Sequence, residues 1–149
     1  MAYSYRKARV EDAARISELF VEMLKTIYRT DRVGGYEAGY LDKYFTGGED
    51  WICVAEQGRE LVAFLSIEVY RAGDYLYLDD LSVTGQHRSK GIGRELIKRA
   101  EEYAESIGMA RIVFHVEESN RDACRLYRKL GYREDALQGT RIRMVKSLG

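Results

Sequence analysis

"YLYLDDLSVTGQHRSKGIGRELIKRAEEYAESIG", residues 75–108, passes from a strand-like run through a glycine-and-arginine loop into a run of helical period. Residues 75–83, "YLYLDDLSV", read as a strand. Beyond the loop, Ile92, Leu96, Ala100, Tyr103, Ala104 and Ile107 share one helical face over 91–107, and Gly108 is its stop signal. The junction holds Gly91 and Gly93 among Arg88, Lys90 and Arg94. Bare backbone, positive charge and a helix start in one place suit an anion. The first N–H groups of a helix lack intrahelical partners, the dipole adds partial positive charge, and glycine allows close approach.

Two familiar phosphate loops fail on spacing. A P-loop counted from Gly85 needs its second glycine where Lys90 stands, and a dinucleotide fingerprint begun at Gly91 needs a glycine at Leu96. What is present is Arg88-x-x-Gly91-x-Gly93, after a strand and opening a helix. Further on, "ESNRDACRLYRKLGYRE", residues 118–134, carries Asn120, Ala123, Tyr127, Gly131 and Tyr132. With both stretches in this order and at this separation, the chain resembles the GNAT N-acetyltransferase superfamily. That family's pyrophosphate loop reads Gln/Arg-x-x-Gly-x-Gly/Ala, and its later helix reads Asn-x-x-Ala-x-x-x-Tyr-x-x-x-Gly-Phe/Tyr. The match covers residues 75–134; the first 70 residues agree only in element order. Taken alone, the loop also reads as an ordinary glycine turn among surface charges.

The 149 residues are 46% apolar and 32% charged, with 24 basic against 24 acidic side chains, enough for one globular domain over 1–149. Zero net charge gives no global field to recruit nucleic acid or an anionic membrane. No apolar run reaches the length of a membrane span, and "MAYSYRKARVEDAARI" lacks the apolar core of a leader. Cys53 and Cys124 read as reduced structural thiols of a cytoplasmic protein, and His87 and His115 are too few and too separated for a metal site. His115 itself reads as a packed strand residue.

Along the chain the pattern predicts a strand over 3–8, a helix over 11–29, a shorter helix over 36–45 and strands over 51–56 and 61–70 joined by "QGRE". The first of these helices carries Ala14, Ile16, Leu19, Phe20, Met23, Leu24 and Ile27 at apolar spacing. After the strand 75–83 and helix 91–107 come a strand over 111–116, a helix near 120–130 and strands near 132–135 and 140–147. The expected class is α/β (α+β): a mixed, mostly antiparallel sheet of about seven strands with helices on both faces. The resemblance implies a splay between the strands near 75–83 and 111–116.

It also implies the chemistry: acetyl-CoA donates an acetyl group to a primary amine by direct attack in a ternary complex, with no metal. A lysine-like amine has a pKa of about 10.4, so near neutral pH roughly one molecule in a few thousand is nucleophilic and a proton must be removed. Asp79 and Asp80 are the candidate carboxylates. Regular alternation places Asp79 with Tyr75, Tyr77, Leu81 and Val83, and Asp80 on the other face. "YLDDLSV" is similar to the Tyr-Leu-Glu-Asp stretch of polyamine (diamine) acetyltransferases, in which Asp79 falls on the base, one methylene shorter than glutamate. By the same resemblance Tyr127 is the acid beside the CoA sulfur. Leu81, Ser82 and Val83 meet the pantetheine arm, and Arg88, Ser89, Lys90, Gly91, Ile92, Gly93 and Arg94 hold the pyrophosphate. Asn120 caps its helix and bonds the arm, with Ala123 beside it. Covalent catalysis is not expected, since Cys124 has no matched histidine.

The acceptor is less defined. Residues 31–50, "DRVGGYEAGYLDKYFTGGED", combine aromatics with Asp31, Glu37, Asp42, Glu49 and Asp50, which suits a cationic amine, a polyamine or diamine first. A mobile polar loop is the plainer reading of the same stretch. Amino acids, aminoglycosides and protein N-termini stay open as acceptors, and so does a homodimer. A sensor or interaction module that binds acetyl-CoA without turnover is the alternative from another class.

Overall fold

The computed structural model describes residues 2–149; Met1, which begins the stretch read for a leader, lies outside them. Seven strands and three α-helices follow in the order β1 (Ser4–Lys7), α1 (Ala13–Tyr28), β2 (Trp51–Gln57), β3 (Glu60–Tyr70), β4 (Tyr75–Val83), α2 (Ile92–Ser106), β5 (Arg111–Glu117), α3 (Arg121–Lys129), β6 (Arg133–Gln138) and β7 (Arg141–Ser147). Short 3-10 turns stand at Val10–Asp12, Asp42–Phe45 and Gly85–His87. The strand order is β1-β2-β3-β4-β5-β7-β6, with β4 and β5 parallel and the pairs β1–β2, β2–β3, β5–β7 and β6–β7 antiparallel. This is the mixed, mostly antiparallel sheet expected. No helix among the described residues is long and apolar enough to cross a membrane.

The chain divides into two compact units: one runs to Ile67 and takes in Asp80–Ala100, and the other holds Glu68–Asp79 and Glu101–Gly149. In the first, Ile16 and Leu19 of α1 pack on Ile52 and Val54 of β2 and on Leu61 and Phe64 of β3, with Leu41 and Tyr44 completing the cluster. Alternation turns Cys53 to the opposite side of β2. There Glu95 and Arg99 of α2 act on its thiol, and the Arg99 guanidinium lies 4.6 Å from the Tyr5 ring centre. The two helices therefore cover opposite faces, as expected. Burial pushes the Cys53 thiol up to about 11, far from a reactive thiolate, and both cysteines are free and buried.

In the second unit, β5 pairs with β4 from Tyr75–Arg111 to Leu78–Phe114, a ladder that takes in no residue of β4 beyond Leu78. On its other side β5 pairs with β7, which pairs with β6 across an irregularity between Glu134 and Ala136. Leu76, Ile112 and Met144 are fully buried here.

Three expectations need correction. The helix over 36–45 is absent; only Asp42–Phe45 turns, as a 3-10 segment. Its bonds reach back three residues (Tyr40 N to Glu37 O, Asp42 N to Gly39 O, Tyr44 N to Leu41 O), while Tyr36 stacks on Phe20 with ring centres 3.9 Å apart. Aromatic packing against α1 sets this segment, and Gly39 weakens any helix there. Nor is it simply a polar loop, since Leu41 and Tyr44 belong to the core. The first helix starts as a 3-10 turn, becoming α-helical at Ala13, and Ala14 and Ile27 of its predicted apolar face are exposed. Finally, β6 runs over Arg133–Gln138 because Tyr132 turns inward instead of joining the strand.

The entry to α1 is held by Asp12. Its carboxylate accepts the Arg9 N–H at 2.8 Å and two bonds from the Arg6 guanidinium at 2.8 and 3.1 Å, while Arg6 also donates to Glu56. The Arg6 bond, chief among the causes, holds the Asp12 carboxyl below the usual carboxylate range. A lowered carboxylate stabilises the fold above its ordinary pKa and loses that contribution as the pH falls through the lowered value. Asp12→Asn is expected to cost about 1–2 kcal/mol at neutral pH. Urea midpoints measured from neutral pH downward should show the gap to the parent protein closing in acid; a gap independent of pH would refute the assignment.

Candidate functional site

At the end of β4 the chain turns through Gly85–His87, extends at Arg88, takes the left-handed region at Ser89 (φ 61°) and Gly91 (φ 84°), and enters α2 at Ile92. The Gly91 carbonyl accepts the Glu95 N–H at 3.0 Å, so Gly91 stands at the helix start. The N–H groups just after it have no carbonyl one turn back. A β-carbon placed on Gly91 meets nothing within 4 Å, while one on Gly93 sits 3.7 Å from a Leu81 methyl. Lys90, Gly91 and Arg94 are exposed. Open backbone, free donors and two exposed cations fit a diphosphate.

Arg88 is otherwise engaged. Its Nε donates to the Val83 carbonyl at 3.0 Å and its guanidinium reaches Glu22 at 3.4 Å. Glu22, on α1, also accepts the Thr84 hydroxyl at 2.8 Å and the Gly85 N–H at 2.9 Å. This one carboxylate ties the loop to α1, and sequence reading missed it. Its spacing from Leu19 puts it at the edge of the apolar face, a place where an acidic residue asks for a partner. Ser82 is tied to the same helix, its buried hydroxyl donating to the Leu19 carbonyl at 2.9 Å. Asp80, in this unit, accepts the Tyr36 hydroxyl at 2.7 Å, a partner the sequence did not reveal; Tyr36 in turn stacks between Phe20 and Tyr40.

The second unit holds Asp79, Asn120, Ala123 and Tyr127. Asn120 caps α3, its side-chain oxygen accepting the Ala123 N–H at 3.3 Å, which is the expected cap. The helix closes on a paired bond: Gly131 N–H to Arg128 O at 3.0 Å, and Tyr132 N–H to Tyr127 O at 3.0 Å. Gly131 takes φ 98°, which turns Tyr132 inward beneath Tyr127, the two rings 6.5 Å apart. The Tyr132 hydroxyl donates to Glu101 at 2.7 Å, and Lys146 reaches the same carboxylate at 3.1 Å.

Tyr127 packs edge-on against Phe114, ring centres 4.5 Å apart. Burial pushes its phenol up to about 12, so it stays protonated well above neutral pH. No hydrogen bond to its hydroxyl is present among the described residues. Asp79 acts on Tyr70 and Tyr77, whose phenols are raised chiefly by the Glu68 bond and by burial respectively, with the Asp79 charge a lesser cause. Asp80, its neighbour in the chain, falls in the other unit.

Against known proteins, residues 19–132 match the family described as the acetyltransferase (GNAT) family. The chain is 32% identical over 135 residues to the uncharacterized N-acetyltransferase YhfO of Bacillus subtilis (strain 168), covering 87% of this chain and 89% of that protein. It is 30% identical over 90 residues to the streptothricin acetyltransferase of Streptomyces lavendulae, covering 57% of this chain and 47% of that protein. Among solved structures, the PaiA N-acetyltransferase from Thermoplasma acidophilum in complex with coenzyme A matches with a TM-score of 0.82 at 20% identity, over 99% of both chains.

The two loop glycines are expected to respond oppositely to alanine. Gly91→Ala forces an L side chain into the left-handed region and should cost ~1–2 kcal/mol. Gly93→Ala adds an ordinary contact with Leu81 inside a helix and should be neutral or stabilising by up to ~1 kcal/mol. Urea unfolding of the two variants decides; equal effects would contradict the loop geometry.

Proposed function

The chain belongs to the GNAT acetyltransferase family and is an acetyl-CoA-dependent N-acetyltransferase, and on that premise we propose that its acceptor is a small cationic primary amine, such as a polyamine or diamine, attacking directly in a ternary complex. The observation that carries the donor half is the loop: Gly91 in the left-handed region, open space about it, and α2 beginning at the next residue. Acetyl-CoA supplies the activated acetyl thioester. Backbone N–H groups from Ser89 to Arg94 bind its diphosphate, with Lys90 and Arg94 adding charge; the Arg88 N–H is given to the Gly85 carbonyl. The end of β4, Leu81 to Val83, together with Asn120 and Ala123, orients the pantetheine arm. Residues 1–149 act as one acetyltransferase domain. The two buried free cysteines suit a reducing compartment, on which a cytoplasmic location is proposed.

Tyr127 holds a proton on its hydroxyl and gives it up toward the departing sulfur. Its phenol, near 12, keeps that proton at working pH, and its hydroxyl takes no hydrogen-bond partner among the described residues that would compete. Asp79 accepts the proton of the attacking ammonium group, a role for which a carboxylate among tyrosines is suited. Asp80, already receiving the Tyr36 hydroxyl, orients the acceptor instead. The relative named for streptothricin supports a second acceptor reading, streptothricin itself.

Release of free thiol from acetyl-CoA should be measured across putrescine, spermidine, lysine amide and streptothricin, with turnover by at least one expected. Tyr127→Phe keeps the ring against Phe114 and should lower kcat by ~10²–10⁴-fold while acetyl-CoA affinity is retained. Wild-type turnover in that variant would remove the acid role. Asp79→Asn should depress kcat, and Asp80→Asn should act mainly on acceptor KM; the reverse pattern would exchange the two roles.

A further inference from the structure

In the second unit, His115 on β5 is engaged at both ring nitrogens. Its Nε2 lies 2.6 Å from the side-chain oxygen of Gln138, and its Nδ1 lies 2.6 Å from the Tyr77 hydroxyl. The amide oxygen can only accept, so Nε2 carries the hydrogen and Nδ1 of the neutral ring is an acceptor. Tyr77 then donates its one hydroxyl hydrogen to His115, and its oxygen has only lone pairs left to offer. Arg141 approaches that oxygen at 3.4 Å, a long and weak contact.

The surroundings of Tyr77 are aromatic and charged, with the acidic Glu68 and Asp79 set against the basic Arg141. Tyr70 stands edge-on to it, ring centres 6.3 Å apart, and donates its own hydroxyl to the buried carboxylate of Glu68 at 2.9 Å. Asp79 follows two residues along β4, the spacing that puts it on the same face as Tyr77. Burial raises the Tyr77 phenol, against the Arg141 charge and with Asp79 adding, so its hydroxyl stays protonated and keeps its bond to His115.

We propose that Tyr77 is a specificity-determining residue for the acceptor, and that His115 and Gln138 are positioning residues that fix its polarity. With the hydroxyl hydrogen committed to His115, the Tyr77 oxygen receives an N–H of a cationic primary amine beside Asp79. A Tyr77 free to rotate its hydroxyl could offer either a lone pair or its hydrogen, and so would serve donor and acceptor groups alike. The arrangement selects amines over acceptors that present a carbonyl or carboxylate at this point. It rests on the reading of Asp79 as the carboxylate at the acceptor.

Two measurements test it. Nitrogen-15 correlation spectra of the histidine rings, with His87→Gln to assign the two, should show His115 protonated at Nε2 and bare at Nδ1 at neutral pH. The opposite tautomer overturns the proposal. Kinetics with acetyl-CoA and spermidine, or whichever amine of the panel turns over, give the second. Tyr77→Phe should raise the amine KM about 10-fold, the loss expected for one hydrogen bond to a charged group, and His115→Phe should raise it by less while weakening the preference for amines. The KM for acetyl-CoA should stay unchanged. His115→Asn, which returns an acceptor near the place of Nδ1, should restore most of the affinity, and the Tyr77→Phe/His115→Phe double variant should be no worse than Tyr77→Phe alone. A purely structural role would lower the urea midpoint and disturb both KM values together. An unchanged amine KM in folded Tyr77→Phe overturns this inference and leaves the acetyltransferase reading standing; a wild-type protein that acetylates no amine overturns both.

Discussion

The loop between β4 and α2 has its form because of one carboxylate. Glu22 accepts the Thr84 hydroxyl and the Gly85 N–H and pairs with Arg88, so the first turn beyond β4 is anchored to α1 before the chain reaches Ser89 and Gly91. An acidic side chain so near a candidate anion site would be adverse if it faced the ligand with its charge uncompensated. Here its charge is spent on Arg88 and on two donors. The consequence is that Arg88, the most suggestive cation in the sequence, acts as a strut between Val83 and Glu22. On the proposed reading, anion recognition at the loop would fall to backbone donors at the helix start, with the exposed Lys90 and Arg94 as helpers.

A similar double use of residues appears in α3. The run Tyr127, Gly131, Tyr132 is a helix-ending device in its own right: the left-handed glycine lets the Tyr132 N–H return to the Tyr127 carbonyl and sets the two rings together. The bond fixes the backbone of Tyr127, and Phe114 fixes its ring, so the hydroxyl is aimed by parts of the fold that do no chemistry. Local structure and the proposed acid role thus ask for the same residues, which is why a short motif can stand for both.

That overlap explains what was legible in the sequence. The strands and α2 follow from periodicity, the loop from two glycines and a helix start, and the Asn120 cap from a residue type that accepts its own helix's N–H: all are contacts within a few positions. What stayed hidden is long-range. Glu22 meets residues more than 60 positions away, Tyr36 meets Asp80 across 44, and Tyr77 meets His115 across 38. Spacing shows which face a side chain takes but not what waits opposite, so His115 read as a packed strand residue and residues 36–45 read as a helix. In the latter case stacking on Phe20 outweighed a weak local preference.

The two halves of the reaction differ in how they are recognised. On the proposed reading, the donor is held largely by main-chain groups at a helix start, and main-chain recognition demands only that the backbone conformation be kept. Many sequences can do this provided residues that tolerate a positive φ, Ser89 and Gly91 here, stand where the turn needs them. On the same reading the acceptor would be met by side chains, Asp79, Tyr77 and the groups that orient them, and each of these changes chemistry when substituted. On that reading donor use would persist in relatives near 30% identity, while acceptor choice would be free to change with a handful of residues. For this chain the acceptor is accordingly best sought through the polarity of Tyr77 and the carboxylates near it, since fold similarity speaks only to the scaffold on which they are mounted.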